Sequence, residues 1–225
     1  MAHILGSHLQ ISGYYEMHLS YRSGNDLLKQ EQLYARNESI ASGSLYLFDK
    51  LLHNDYQLLL DGLGTMEIKT LVSIRPAEQA IKSIINLFAG KQTDHPYADP
   101  HNAARYYIER LAELAKFCGR YQGRYYYYDA DLIRSHPDQC LERMQRWLGL
   151  ETPLKRDYQL FSQTGKPGAG DSSAKIRHGR IDSRQTDYPG IEVTPHLLRE
   201  AAEACETYRP LILKYAQDSM VPGRL

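Results

Sequence analysis

The run Lys69-Thr-Leu-Val-Ser-Ile-Arg75, together with the dozen residues after it, constrains this chain more than any other stretch. It is apolar and β-branched and is stopped by Arg75 and Pro76, which predicts a buried strand. Pro76 suits the first turn of a helix, where its missing N–H would have no intrahelical partner. Ala80, Ile81, Ile84, Ile85 and Phe88 then fall on one stripe at helical spacing. A buried strand running straight into an amphipathic helix is the repeating half of a parallel sheet.

The rest of the chain continues that alternation. Residues 44–48 read as a short buried strand with Asp49 and Lys50 at its edge, and 56–60 as a weaker strand before the Gly62 and Gly64 turn. Residues 27–36 are helix-like, and 101–118 follow a polar loop as a second amphipathic helix. Residues 123–128 form the next strand, and 137–148 a helix with Pro137 near its start and Gly149 at its end. Residues 194–216 form the C-terminal helix, with Thr194 as N-cap and Pro210 as a kink point. The opening piece, 1–5, is too short to be a complete element. The pattern predicts one α/β domain over 1–225, with a mostly parallel central sheet and helices on both faces. Residues 151–190 stand apart: glycines scattered among Lys, Arg, Asp and Ser, without apolar period. A loop of that length inside a compact domain is functional or disordered.

Bulk charge excludes several function classes. Lys plus Arg and Asp plus Glu number 27 each, so no overall field steers the chain toward nucleic acid or an acidic membrane. Mean hydropathy is −0.53, and the apolar runs are far too short to span a bilayer. No basic start and apolar stretch of signal-peptide length opens the chain. Cys118, Cys140 and Cys205 are an odd, widely spaced set, which predicts free thiols in a reducing, cytoplasmic compartment. The nine His and three Cys show no metal-ligand spacing. Tyrosine is the compositional outlier, at 18 against four Phe and one Trp, with four in a row at Tyr125, Tyr126, Tyr127 and Tyr128. Such a run fits an edge-tolerant strand and a base-stacking surface equally well.

Arg75 stands where ligands gather in open parallel sheets, beyond the carboxyl end of a strand. A following helix offers its free amides and positive dipole end to an anion. Arg75 could clamp two anionic oxygens, and Ser83, two turns into the helix, could add a hydroxyl donor. Spacing alone favours an arginine in a surface ion pair and a serine on a solvated face.

A strand ending in Ile74-Arg75-Pro76, then a helix with Ser83 eight positions after the arginine, resembles the sulfotransferase site for the 3′-phosphate of 3′-phosphoadenosine 5′-phosphosulfate (PAPS). Three further blocks support the likeness. Tyr127-Tyr-Asp-Ala-Asp-Leu132, with His136-Pro137 and Trp147-Leu-Gly149, is similar to the family's Tyr-Glu-Asp-Leu block. One extra residue between Tyr128 and Asp131 leaves open which tyrosine aligns. Residues 165–171, Gly-Lys-Pro-Gly-Ala-Gly-Asp, with Lys175 through Gly179, resemble the glycine-rich basic loop that closes over the nucleotide. Residues 5–18 resemble the segment after the family's phosphate loop, with Leu9 in place of a common proline.

The resemblance implies a P-loop-like sulfotransferase fold and transfer of a sulfuryl group from PAPS to a hydroxyl or amine, without a metal. It implies that Arg75 and Ser83 hold the 3′-phosphate, that Ser173 and Lys175 belong to the covering loop, and that Tyr128 flanks the adenine. It implies that Lys50 contacts the transferring group and that Glu16 is the base, with His18 as the nearby alternative. Residue chemistry alone reads Glu16 as a solvated carboxylate and Asp49-Lys50 as a strand-end ion pair. The acceptor would be a small molecule, glycan or peptide, with neither nucleic acid nor membrane as partner. The resemblance also places the family's first strand and 5′-phosphosulfate loop before residue 1, which predicts poor PAPS binding and little turnover. Ala89-Gly-Lys-Gln-Thr93 imitates a Walker loop but comes after a helix and lacks the earlier glycine, so it does not replace that loop. Two alternatives stand beside this reading: a nucleotide-binding or interaction domain without chemistry, and, disfavoured by the lack of a Walker loop, a nucleotide-dependent phosphotransferase.

Overall fold

The computed structural model describes residues 1–90, 95–166, 174–184 and 187–223. Its elements in chain order are α1 (Ala2–Gly6), β1 (Ile11–Ser12), α2 (Gly24–Ala35), β2 (Tyr46–Leu47), β3 (Thr70–Ile74) and α3 (Ala77–Ala89). They continue with α4 (Pro100–Arg120), β4 (Tyr125–Asp129), α5 (Leu132–Ser135), α6 (Pro137–Leu148), α7 (Pro195–Tyr215) and β5 (Asp218–Met220). The chain is α/β, with short parallel sheets and flanking helices. It divides into two compact units, each discontinuous in sequence: one of Met1–Ile68 with Ile133–Ser183, the other of Lys69–Leu132 with Arg184–Leu225. One central sheet is expected from the sequence; the described residues form two short sheets instead.

The second unit contains the strand–helix element that dominates the sequence. β3 and β4 pair in parallel with Thr70 opposite Tyr125 and Ile74 opposite Asp129, and β5 pairs in parallel on the far side of β4. Parallel neighbours need long crossovers, and α3 and α4 supply the one between β3 and β4. Ile81 of α3 is 0% exposed and packs with Ile85, Val72, Ile74, Tyr107 and Leu111 in one core, which Ala201 and Ile212 of α7 complete. Thr194 caps α7 as its position in the sequence predicts, its side chain accepting from the Leu197 N–H. Asp99 does the same for α4, its Oδ1 accepting from the Asn102 N–H. The C-terminal helix runs on through Pro210.

The tyrosine run lies in the middle strand of its sheet, not at an edge. Tyr125, Tyr126 and Tyr127 are each 0% exposed. Burying such rings costs least where their hydroxyls reach polar partners. The Tyr125 hydroxyl donates to the Ile212 carbonyl and the Tyr127 hydroxyl to Asp129.

The first unit joins β1 and β2 in parallel, Ile11 opposite Tyr46. Of the strand expected over 44–48 only two half-buried residues are paired, and the strand expected over 56–60 is a single bridge between Tyr21 and Leu58. Gly13 lies beside β2 at a φ of 94°, and a Cβ there would meet the Phe48 carbonyl oxygen at 2.1 Å, so only glycine fits. Tyr14 stacks on Phe161 with centroids 4.1 Å apart and donates to Glu38 at 2.6 Å. The opening piece, too short on sequence grounds to be a complete element, is the short helix α1, with Ile4 and Leu5 buried. α6 begins at Pro137 and ends at Gly149 with a φ of 69°, the left-handed cap that glycine adopts without strain. The described part of 151–184 is tied down by an Asp157–Arg180 bridge and by Arg156 Nε on Asp138 at 2.6 Å.

No described helix is long and apolar enough to cross a membrane. Among the described residues no group of His, Cys, Asp and Glu is placed to hold a metal ion. The three cysteines are free thiols. Burial pushes Cys118 up to about 12 and Cys140 to about 11, so both stay protonated and inert at neutral pH.

Candidate functional site

The strand–turn–helix element of the second unit places Arg75 directly after β3, with Pro76 as the N-cap of α3. Pro76 leaves the helical path and its carbonyl accepts the Ala80 N–H at 2.9 Å, so α3 starts directly after the strand end. The arginine is fixed at both ends. Its backbone carbonyl accepts the Tyr107 hydroxyl of α4 at 2.9 Å, and its Nη2 donates to the Tyr188 hydroxyl at 3.2 Å. Burial pushes the Tyr107 hydroxyl above the usual tyrosine range, with Cys205 adding to the effect, so it remains a donor at any working pH. The half-buried guanidinium keeps further N–H donors beyond the one on Tyr188.

Ser83 is half-buried on α3, and no hydrogen bond links it to Arg75 among the described residues. Tyr128 pairs in register with Ser73 and is 7% exposed. Next to it Asp129 accepts from Arg209 of α7 through Nε at 2.9 Å and Nη2 at 2.6 Å, and from Tyr127 at 2.6 Å. Two open hollows of this unit lie elsewhere, one beside Pro210, Leu213 and Asp218, the other beside His101, Ile108 and Glu200.

The first unit brings the other candidates together. Met17, between Glu16 and His18, donates its backbone N–H to Asp49 Oδ1 at 2.9 Å, and the Lys50 N–H donates to the same oxygen at 2.6 Å. The Tyr21 hydroxyl takes Asp49 Oδ2. Glu16 Oε1 accepts the Leu52 N–H at 3.3 Å and lies 3.8 Å from His53 Nε2. The Asp49 carboxylate thus ties the backbone between Glu16 and His18 to that of Lys50. Residue chemistry alone reads Glu16 as solvated, yet its side chain is 3% exposed. His18 has a φ of 54°, the one positive value at a non-glycine residue among those described, and its ring faces His53 and Tyr56 at 6.2 and 5.6 Å. Positive φ outside glycine is uncommon, although His is enriched among the exceptions. Lys175 lies 3.9 Å from Asp182, and Ser173 falls outside the described residues.

Burial raises the Asp49 carboxyl above the usual range, and the Glu16 charge adds to it; the bonds from Tyr21, Met17 and Lys50 pull the other way and lose. The folded chain therefore holds this proton more tightly than the unfolded one, and Asp49 contributes less stability as pH climbs above about 4. The stability of the unaltered chain minus that of D49N is expected to fall as pH rises from about 4 to about 7 in urea titrations. A difference that stays flat would refute the raised ionisation.

Sequence reasoning missed Tyr188, Tyr107 and His53. Tyr188 meets Arg75 across 113 positions and Tyr107 across 32, separations that no local spacing encodes. His53 carries no motif; its proximity to Glu16 exists only once the 49–53 segment folds over the 16–18 loop. Comparison with protein-family models and with curated proteins finds no match.

Proposed function

We propose that this chain is a sulfotransferase-like protein that binds an adenosine 3′-phosphate nucleotide and transfers the sulfuryl group of PAPS to a hydroxyl or amine. The observation that carries the reading is Arg75 at the carboxyl end of parallel strand β3, beside the N-terminal turn of α3 and held in place by Tyr107 and Tyr188. Arg75 grips the 3′-phosphate and Ser83 adds a hydroxyl; Tyr128, Ser173 and Lys175 belong to the nucleotide side. The resemblance of the blocks around Tyr128 and Lys175 to the P-loop-like sulfotransferases supports the same reading. In the transfer, the acceptor oxygen or nitrogen bonds to sulfur as the bridging oxygen leaves with its electron pair on the 5′-phosphate. The acceptor proton passes to a base and 3′,5′-ADP is the by-product. Lys50 offsets the charge of the leaving phosphate, and the acid–base groups are those gathered at Glu16. Acceptors of this class are small molecules, glycans or peptides. The free thiols fit a reducing, cytoplasmic setting.

Calorimetric titration with 3′,5′-ADP and, separately, ATP tests this. Removing one charge-assisted arginine–phosphate contact costs about 1.5–3 kcal/mol, so R75A is expected to weaken 3′,5′-ADP about 10- to 100-fold. An R75A affinity equal to the unaltered chain's, or a preference for ATP over 3′,5′-ADP, would overturn the assignment.

A further inference from the structure

Glu16 is poorly placed to touch an acceptor. Its side chain is 3% exposed and one of its oxygens is occupied by the Leu52 N–H. The His53 side chain, 29% exposed, has Nε2 3.8 Å from that same carboxylate, an ion-pair separation. A buried carboxylate behind a partly open imidazole steadies the ring and offsets the positive charge that forms when the ring takes a proton. The ring also faces His18 and Tyr56, at centroid distances of 6.2 and 6.4 Å. His18 holds its place in that group at a left-handed φ, a conformation that persists only where surrounding structure enforces it. Asp49, next to the loop, is already engaged by Tyr21, Met17 and Lys50. Glu16 is thus the buried carboxylate that faces His53.

We infer that Glu16 and His53 form a proton-transfer dyad in which His53 takes the acceptor's proton and Glu16 is its positioning carboxylate. In the sulfuryl transfer, the acceptor's O–H or N–H bond breaks with the proton passing to an imidazole nitrogen, while the new bond to sulfur forms and the 5′-phosphate departs. The dyad rests on the sulfotransferase reading for the identity of the reaction, and on geometry alone for the pairing. His53 is the catalytic residue. Glu16 acts only through it.

Two readouts separate the pairing from the reaction. Carbethoxylation of His53 by diethylpyrocarbonate at mildly alkaline pH, traced by mass spectrometry, is expected to slow several-fold in E16Q, because the ring loses the anion that raises its nucleophilicity; glutamine keeps an oxygen for the Leu52 N–H. Equal rates overturn the dyad whatever the turnover. With PAPS and a panel of a phenol, a hexosamine and a tyrosine peptide, H53Q is expected to lose about 100-fold in kcat, with 3′,5′-ADP affinity unchanged. The E16Q/H53Q pair is expected to be no worse than H53Q alone, since residues acting as a unit are not additive. Added imidazole should restore part of the activity of H53A. Losses that add, failure of imidazole rescue, or absence of turnover in the unaltered chain overturn the catalytic role. Loss of 3′,5′-ADP binding in the unaltered chain, with His53 still reacting faster than in E16Q, overturns the nucleotide reading and leaves the pairing standing.

Discussion

Replacing Asp129 by alanine is expected to destabilise the second unit by about 3 kcal/mol, read as a lower urea midpoint with an unchanged slope. Asp129 ends the middle strand β4, and its two oxygens accept two bonds from Arg209 and one from Tyr127. The side chains of the pair are 20% and 32% exposed, so water screens them only in part. Deleting the carboxylate leaves the Arg209 fork beside the Tyr127 ring with no anion, and that orphaned charge, not the lost attraction, sets most of the cost. Burial is the first cause that holds the Tyr127 hydroxyl above its usual range, and it persists once Asp129 is gone, so the hydroxyl does not ionise to replace the missing anion. The lower end of the range for breaking buried pairs applies because of the partial exposure. D129N keeps one acceptor and should cost about half as much. A D129A chain as stable as the original would mean that Arg209 finds solvent at no cost, and that the clamp does not hold α7 to the sheet edge.

The strand and helix positions were legible because their signals are local. β3 and α3 arise from a β-branched run, a proline and an apolar stripe, all within about twenty residues. Pro137 and Gly149 announce α6 for the same reason: each acts through its own φ. The division into two short sheets, where one central sheet was expected, was not legible, because strand pairing depends on partners far apart in sequence, as Tyr126 with Asp218 is. Residues 44–48 show the limit well. Their apolar content is that of a buried strand, yet only Tyr46 and Leu47 pair, and both stay half-buried.

Four of the tyrosines have a physical role that composition could not supply. The Tyr46 hydroxyl donates to the Leu148 carbonyl, Tyr107 to the Arg75 carbonyl, Tyr125 to the Ile212 carbonyl, and Tyr21 to Asp49. Each fills space like phenylalanine while satisfying an acceptor that a packed interior would otherwise strand. The place of Arg75 at the strand end was legible because strand end and helix start are contiguous. Its Tyr188 contact and the His53 partner of Glu16 were not, being products of chain return.

Tyr125 carries the largest expected effect of these. α7 ends at Tyr215, and the carbonyls of its last turn have no intrahelical partners. Those of Ile212 and Tyr215 are taken by the Tyr125 hydroxyl and the Gly123 N–H, while the Gln217 N–H returns a bond to the Tyr125 carbonyl. The entry to β4 thereby caps α7 and positions β5 beside it. Tyr125→Phe keeps the ring but leaves the buried Ile212 carbonyl without its donor, for an expected loss of about 1.5 kcal/mol. Tyr125→Ala also removes a ring that is 0% exposed and packed with Cys118 and Ile212, opening a cavity worth about 4 kcal/mol in total. Urea titrations of both variants check the pair of values, and the gap between them isolates the packing contribution of the ring. Equal midpoints for Tyr125→Phe and the unaltered chain would show that the α7 carbonyl finds another donor. In that case the hydroxyl is incidental and the strand is held by its ring alone.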